Sequence, residues 1–379
     1  MNEDGKSVNG TSRLERLLPL LSGDPDNLAL LCDAAEAALA ERRPDVAAGL
    51  ISRAAELAPL APSQVNLAGL AAMQLSLFDE AAAHFESLAT QDIGGSAVRF
   101  NLAWCRAMLK DFEGALGLLD ENTATDLAQA AMLKVQILHE RAEFEQAAEL
   151  ARHYVSQHPD HPGLLAAVSV LALDIGDTEL AERCAARAGD HPDALTTLGT
   201  LALGEERSAD ARRLFDRAIE RNTGSARAWV GRGLTGLLGD DAAKAGEDID
   251  RGAELFGDHL GSWIAAGWAY FVAGDLALSR RRFETALEID DTFAEAHGSL
   301  AVIDILEGER ESGRERSKVA LRLDRNCYSA ALARVLLAAD AGDEMSARRI
   351  FELAVNSPVD GKGRTIAQSL ARMGLTGSS

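Results

Sequence analysis

The sequence predicts an all-α solenoid, in which antiparallel helix pairs stack side by side. The first observation is a fixed period, since Trp229, Trp263, His297 and Ala331 each lie 34 residues apart. The second is composition, because apolar residues make up 47% of the chain while only 9 of 379 residues are Pro. The third is that no run of alternating β-branched residues, typical of strands, occurs. A period of this length is typical of stacked repeats that each contribute one helix pair.

Small residues recur at one position of the repeat. When Trp229 is placed at position 4 of a 34-residue repeat, position 20 holds Ala211, Ala245, Ser279, Gly313 and Ala347. Two antiparallel helices approach closely only where the facing side chains are small. The pattern therefore predicts that position 20 lies where the two helices of a pair meet. One turn further, position 24 holds the large apolar residues Phe215, Ile249, Phe283 and Phe351, with Ser317 as the exception.

A glycine followed by an acidic residue separates the two predicted helices of many repeats. Glycine ends a helix in the left-handed conformation, and an acidic side chain favours the start of the next helix. The pairs are Gly176-Asp177, Gly204-Glu205, Gly239-Asp240, Gly274-Asp275, Gly308-Glu309 and Gly342-Asp343.

The pattern continues to the N-terminus with two shorter intervals. The position-4 residues there are Leu31, Val65, Arg99, Ala131, Leu165 and Leu195, at intervals of 34, 34, 32, 34 and 30 residues. The array then contains about ten helix pairs over residues 26–358.

These residues resemble the tetratricopeptide repeat family. The segment Trp263…Gly267…Tyr270…Gly274-Asp275…Ser279…Phe283…Ala286…Asp291 is similar to the family pattern, and Leu198-Gly199…Gly204…Ala211…Phe215…Ala218 is nearly as similar. The resemblance covers almost the whole chain, and it implies a right-handed superhelix. The repeats near residues 99, 131 and 165 depart from the pattern at several positions.

Three segments lie outside the predicted array. Residues 1–11 are expected to be a disordered tail, and residues 12–25 an N-terminal helix, in which Ser12 and Glu15 have the spacing of a capping box. Residues 359–379 are expected to form a C-terminal capping helix and tail, because a last repeat otherwise exposes an apolar face.

Charge and cysteine usage limit the classes of function. The net charge is −21, with 14 basic and 29 acidic side chains in residues 1–190 and 24 and 30 in the remainder. This acidity argues against generic nucleic-acid binding, which needs a basic surface. The four cysteines are far apart and are interpreted as free thiols in a reducing compartment. The sequence has no secretory signal and no apolar stretch as long as a membrane span, so a cytoplasmic protein is expected.

The resemblance implies that the first helix of each pair lines a concave surface at positions 2, 5, 9, 12 and 13. Several of these positions are apolar, and the predicted partner-binding residues are Leu70, Met73, Phe100, Trp104, Val230, Leu234, Ile264, Trp268, Phe271, Val302 and Ile305. One interpretation is a groove for an apolar peptide or an amphipathic helix. The alternatives are that tight coiling buries these residues, or that a terminal segment or a second copy of the chain fills the groove.

The resemblance also provides a test of one ligand class. Family members that bind chaperone tails hold a peptide carboxylate with Asn at position 9 and nearby basic residues. Position 9 of this chain is never Asn, and neither Asn66 nor Asn101 lies at the matching position. This argues against binding of chaperone tails.

Three further patterns favour structural interpretations. Gly231 to Gly236 reads G-x-G-x-x-G, but a dinucleotide site needs a preceding strand, so close helix packing is favoured. His153, His158 and His161 lie near a predicted loop, and no metal site is expected from them. Arg212-Arg213, Arg280-Arg281-Arg282, the 310–318 stretch and Arg348-Arg349 could align as a basic stripe, although a solvated face with local partners such as Glu284 and Glu315 is favoured.

No catalytic motif occurs, and no cofactor or enzymatic activity is predicted. The first hypothesis is a protein-binding scaffold or adaptor, or a chaperone-like protein, that holds a partner segment in its groove. The alternative is a structural subunit of a larger assembly, such as a secretion or envelope machine, or a homo-oligomer, which the uneven charge favours. A third hypothesis is a regulator that binds an acyl chain or a modified peptide in the apolar channel.

Overall fold

The computed structural model describes residues 12–237 and 242–343, together with Met345 and Arg349. It divides after Gly189 into two compact units, unit 1 (residues 1–189) and unit 2 (residues 190–379). The described residues form 21 α-helices and no strands. The predicted all-α solenoid of antiparallel helix pairs is therefore confirmed within each unit, while its right-handed superhelix stays a prediction.

Unit 1 begins with a single helix, which five helix pairs follow. The second helix of the third pair is split into two, α7 and α8. The helices are α1 (Arg13–Gly23), α2 (Leu28–Ala40), α3 (Pro44–Leu57), α4 (Pro62–Gln74), α5 (Phe78–Ala89), α6 (Gly95–Met108), α7 (Phe112–Leu118), α8 (Glu121–Asp126), α9 (Ala128–Glu140), α10 (Phe144–Gln157), α11 (Pro162–Asp174) and α12 (Thr178–Ala188).

Unit 2 contains four further pairs and the first helix of a fifth. Its helices are α13 (Pro192–Gly204), α14 (Ser208–Arg221), α15 (Ala226–Leu237), α16 (Ala242–Phe256), α17 (Leu260–Val272), α18 (Leu276–Ile289), α19 (Ala294–Leu306), α20 (Arg310–Leu323) and α21 (Tyr328–Asp340). The predicted tail at 1–11 and the predicted capping helix within 359–379 lie outside the described residues.

The two short repeats have distinct structural causes. In the 32-residue repeat, α7 ends at Leu118, and Asp120 then caps α8 by accepting a hydrogen bond from the Thr123 amide. Lys134 Nζ donates to the freed Leu119 carbonyl at 2.8 Å, so the broken helix end is satisfied. In the 30-residue repeat, α12 has only 11 residues, whereas most second helices have 14.

Position 20 lies in the interior of the described pairs. Ala47, Ala81, Ala115, Ala147 and Ala181 in unit 1 are fully buried, as are Ala211 and Ser279 in unit 2. The large residue one turn later fills the space between helices. The Phe215 ring, itself fully buried, lies so close to Gly199 that a Cβ there would be 2.8 Å from Cε1. The predicted small-and-large packing is therefore confirmed.

The turns between paired helices use the left-handed conformation, as predicted, but not always at glycine. Gly176, Gly274, Gly308 and Gly342 have φ from +75° to +93°. For Gly204 the prediction is wrong, because this residue is the last of α13 and Glu206 takes the left-handed position with φ +62°. Gly239 lies outside the described residues. In the first four repeats of unit 1 the equivalent positions are the non-glycine residues Arg42, Ser76, Lys110 and Ala142, with φ from +55° to +64°.

The position-4 side chains, whose spacing of 34 residues reveals the repeat, form hydrogen bonds with the loops between repeats. Trp229 Nε1 donates to the Thr223 carbonyl at 2.9 Å, and Trp263 Nε1 donates to the Gly257 carbonyl at 2.8 Å. His297 Nε2 lies 2.8 Å from the Asp291 carbonyl. In all three repeats the position-4 side chain binds the carbonyl six residues earlier, so its regular spacing reflects a structural role.

Candidate interaction surface

The predicted partner-binding residues all lie on first helices of the pairs. In unit 1, α4 carries Leu70 and Met73, and α6 carries Phe100 and Trp104. In unit 2 they are carried by three helices: Val230 and Leu234 by α15, Ile264, Trp268 and Phe271 by α17, and Val302 and Ile305 by α19.

An aromatic pair dominates the unit 1 set. The Phe100 and Trp104 ring centroids are 6.3 Å apart, and both side chains are partly buried against a core that includes Ala107 and Leu133. Leu70 and Met73 pack in the same partial way against the core around Phe85. All four residues therefore rest on the core while keeping part of their surface open.

Unit 2 has a second aromatic pair, Trp268 and Phe271. Their ring centroids are 5.1 Å apart in an edge-on arrangement, and the Trp268 centroid lies 5.4 Å from that of the fully buried Phe283. The indole is thus held on one side by the core and remains partly exposed on the other. An aromatic side chain held in this way loses little conformational freedom when it contacts a partner.

Two of the predicted contact residues are buried, which corrects the expectation for them. Val302 is 0% exposed and Ile305 is 9% exposed. The reason is that the next first helix, α21, covers this face of α19 with Leu336 and Leu337. The interpretation that packing between neighbouring repeats hides lining residues therefore holds for these two positions.

Other first-helix residues expose more apolar surface than the predicted set. Val272 is 66% exposed, Leu306 48% and Met108 42%, and all three occupy position 13 at the end of a first helix. Leu332, at position 5, is exposed to the same degree as the predicted Leu234, at 37%. Position 13 is one of the positions that the family resemblance implies for the lining, so the sequence did contain this signal.

Several arginines of the possible basic stripe on the second helices are paired with acids. Arg280 donates to Asp304 and Glu307, each at 2.7 Å, and Arg282 donates to both carboxylate oxygens of Asp250. These partners lie on neighbouring helices, whereas the expected local partner Glu284 is 4.0 Å from Arg280. The other expected local acid, Glu315, binds Lys318 of the 310–318 stretch at 2.6 Å, in agreement with the favoured interpretation.

Three carboxylates of unit 2 are buried within these ion pairs. The Asp248, Asp250 and Asp304 side chains are 10%, 10% and 4% exposed. Tyr270 adds a hydrogen bond from its hydroxyl to Asp250 at 2.9 Å. Burial first, and then the Asp250 carboxylate, raise the pKa of Tyr270 to about 12, so the phenol keeps the proton that it donates.

The G-x-G-x-x-G segment is a packing element. Gly231, Gly233 and Gly236 lie within α15, and no strand precedes them among the described residues. A Cβ on Gly233 would lie 2.7 Å from the Ala245 carbonyl oxygen, and one on Gly231 would collide with the Phe215 ring. Close approach of α16 and α14 therefore explains these two glycines.

The three clustered histidines have separate partners. His153 Nε2 lies 3.0 Å from Glu121, His158 Nε2 lies 2.9 Å from the Ala124 carbonyl, and His161 Nδ1 accepts the Leu164 amide hydrogen as the N-cap of α11. No group of three or more metal-binding side chains occurs in the part of the chain that the structure describes. No described helix combines the length and hydropathy that a membrane span requires.

Fold and surface together define the class: an all-α repeat protein whose first helices expose apolar and aromatic side chains. The model of the tetratricopeptide repeat family matches residues 32–96, 66–122 and 196–258. These segments are therefore tetratricopeptide repeats, as the sequence predicted. This fold supports, in general, a scaffold for protein–protein interaction.

Several solved structures are similar to this chain at low sequence identity. A monomeric mutant of IFIT1 with Gppp-AAAA is 10% identical and shares the fold, with a TM-score of 0.53 over 92% of this chain and 95% of that one. A chain of the APC/C hetero-tetramer Cut9-Hcn1 is 12% identical, with a TM-score of 0.41 over 90% of this chain and 89% of that one. The MamA protein is 18% identical, with a TM-score of 0.37 over 44% of this chain and 92% of that one. No curated protein sequence matches the chain.

Proposed function

We propose that this chain is a non-enzymatic scaffold or adaptor that binds an apolar peptide or amphipathic helix on the faces of its first helices. The observation that carries the proposal is the pair of aromatic clusters, Phe100 with Trp104 and Trp268 with Phe271. Each cluster is supported by the core and partly open. Aromatic anchors of this kind supply most of the binding free energy in many protein interfaces.

The surroundings of the second cluster support the same proposal. Leu234 and Val272 extend the apolar surface along α15 and α17. A solvated helix face would normally carry polar side chains at such positions. Because position 9 is never Asn, the bound segment is proposed to be recognised by its apolar side chains rather than by a terminal carboxylate. A chaperone-like role in the cytoplasm is part of the proposal.

The experiment compares affinity capture by the full chain with capture by Trp104→Ala and Trp268→Ala variants. Loss of a core-supported aromatic anchor costs about 2 kcal/mol or more, which weakens binding roughly thirtyfold. The matched control is Leu323→Ala, which removes a side chain of comparable exposure, 44%, from the end of the second helix α20. Captured partners are then produced as purified segments, and their dissociation constants are measured.

We expect both tryptophan variants to lose the same partners, with unchanged helical circular dichroism, while the control retains them. Undiminished affinity of a purified partner for both tryptophan variants would overturn the proposal.

A second candidate function is a structural subunit of a larger assembly, a secretion or envelope machine among them, or a homo-oligomer. The uneven charge favours it, because residues 1–190 carry a net charge of −15 and the remainder −6. Light scattering at low and high salt tests this candidate. A mass that stays monomeric at every concentration and salt level excludes the homo-oligomer, and the absence of a stable co-purifying complex argues against the assembly subunit.

A further inference from the structure

Exposed apolar side chains concentrate at one edge of unit 1. Three turns join first and second helices of successive repeats, at residues 74–80, 108–114 and 140–146, and together they are called the turn edge. They hold five of the fifteen large apolar side chains that are exposed among the described residues, so the exposure is not evenly scattered. The five, with their exposures, are Leu75 (36%), Leu77 (49%), Met108 (42%), Leu109 (41%) and Phe144 (37%).

Contacts between charged side chains hold the second and third turns together. Lys110 Nζ lies 2.8 Å from Glu140 Oε1, and an Arg141 guanidinium nitrogen lies 3.9 Å from Glu113 Oε1. The first and second turns belong to neighbouring repeats, in which Arg106 of α6 donates to Glu86 of α5 at 2.9 Å. The second and third turns are therefore in direct contact, and the first turn lies in the adjoining repeat, whose helix α5 packs against α6.

The turn edge is strongly acidic. Its three segments contain seven acidic residues and two basic ones. The two basic residues, Lys110 and Arg141, already bind acids of the same edge, and Arg141 Nε also donates to Glu143 at 2.5 Å. Asp79 and Glu145 are exposed and make no ion pair with any described residue. The edge thus presents uncompensated negative charge beside apolar side chains.

Helix stability explains the acids at this edge but not the apolar residues. Acidic side chains in the first turn of a helix interact favourably with its dipole. Leu77, however, is the N-cap residue of α5 and makes no side-chain capping bond. At the equivalent positions of unit 1, Asp111 and Asp177 cap their helices, whereas Arg43 and Glu143 do not. A leucine at this position forgoes about 1 kcal/mol of capping free energy.

We propose that the turn edge of unit 1 docks a basic amphipathic segment of a partner protein. The apolar side of that segment lies on Leu77, Met108, Leu109 and Phe144, and its Lys or Arg side chains lie over the flanking carboxylates. Except for Met108, the last residue of α6, this surface lies outside the first-helix faces of the proposed function, and the Trp104→Ala variant tells the two proposals apart.

The experiment measures binding of a designed helical peptide, with leucine on one face and lysine on the other, to the full chain by fluorescence anisotropy. The Leu77→Asp/Met108→Gln variant removes two exposed apolar side chains, and an aspartate is a favourable N-cap residue. The matched control is Leu57→Gln, which changes a 37% exposed leucine at the end of α3, away from the turn edge.

We expect the double variant to bind the peptide about tenfold more weakly and the control to bind as wild type does. Binding should weaken with salt, and a peptide with glutamate in place of lysine should not bind. Equal affinity of the double variant and wild type overturns the proposal. Loss of binding in Trp104→Ala with no loss in the double variant assigns the peptide to the first-helix faces instead. A dimer of the wild type that the double variant abolishes, seen by light scattering, makes a second copy the occupant and also overturns it.

Discussion

The two units share one repeat but hold their helices together in different ways. In unit 2, Asp248, Asp250 and Asp304 are buried acceptors for arginines on neighbouring helices. Among the described residues of unit 1, at least one side chain of nearly every ion pair is one-third exposed or more. In the pair of Arg13 with Asp33, for example, the two side chains are 51% and 58% exposed. The exception is the pair of His139 with Asp174. Repeats with the same helical plan can thus place their ion pairs at the surface or bury them between helices.

The buried pairs restrict which helices can be neighbours. Asp304 of α19 accepts hydrogen bonds from Arg280 of α18 and from Arg316 and Ser312 of α20. A buried carboxylate is costly unless its partners are in place, so a shifted register would leave it unpaired. Unit 2 therefore specifies its helix neighbours by charge as well as by shape, whereas the exposed pairs of unit 1 contribute little.

The largest expected effect is the loss of the Asp304 carboxylate. Asp304→Ala leaves Arg280 and Arg316 partly buried without their shared acceptor, which should lower the free energy of unfolding by about 3–5 kcal/mol. Asp33→Ala in unit 1 removes an exposed partner of Arg13 and should cost less than about 1 kcal/mol. Urea unfolding with hydrogen exchange measures both effects. Similar losses for the two variants would contradict the distinction between the units.

A smaller effect is expected at the turns, where four repeats of unit 1 have a non-glycine residue at positive φ and three repeats of unit 2 have glycine. Ala142 in unit 1 and Gly274 in unit 2 both have positive φ, at +58° and +83°. Ala142→Gly should therefore stabilise the chain by roughly 1 kcal/mol, and Gly274→Ala should destabilise it by a similar amount. A Cβ on Gly274 meets no atom within 4 Å, so the change is purely conformational. Thermal unfolding checks the signs, and a destabilised Ala142→Gly variant would refute the argument.

The smallest expected effect concerns one buried thiol in each unit. Burial raises the pKa of Cys105 from 9.0 to about 11, and that of Cys327 to about 12. Between pH 9 and these values the unfolded thiol loses its proton while the folded thiol keeps it. The free energy of unfolding therefore falls as pH rises, by about 1 kcal/mol per thiol at pH 10.

Melting temperatures at pH 8 and pH 10 measure this dependence. Between pH 8 and pH 10, the melting temperature of the Cys327→Ala variant should fall less than that of the wild type. Equal losses in the two proteins would show that the Cys327 thiol does not contribute.

Much of the fold could be predicted because it depends on local rules. Small residues at position 20, such as Ala211, and large ones at position 24, such as Phe215, follow from the distance between paired helices. The acidic caps Asp177 and Asp275 follow from the unsatisfied amides at a helix start, and both make the expected bond.

The rest depended on contacts between residues distant in the chain. The burial of Val302 and Ile305 results from α21, because Leu336 and Leu337 cover α19. The left-handed conformation of Arg42 or Ala142 could not be read from residue type, since these residues rarely adopt it. Asp248 and Asp304 look like ordinary surface acids in the sequence, and their burial depends on arginines 16 and 24 residues away.

The sequence by itself determined the repeat, its register and the all-α class. These follow from a period of 34 residues and from side-chain volumes, which act within a single helix pair. Only the tertiary structure decided which lining residues remain open and which charges are buried. The exposure of a side chain depends on how neighbouring helices cover it. A periodic sequence pattern shows which positions of the repeats are equivalent, but it does not show which of them a neighbouring helix covers. Trp268 and Val302 occupy the same position of successive repeats, yet the first remains partly exposed and the second is fully buried.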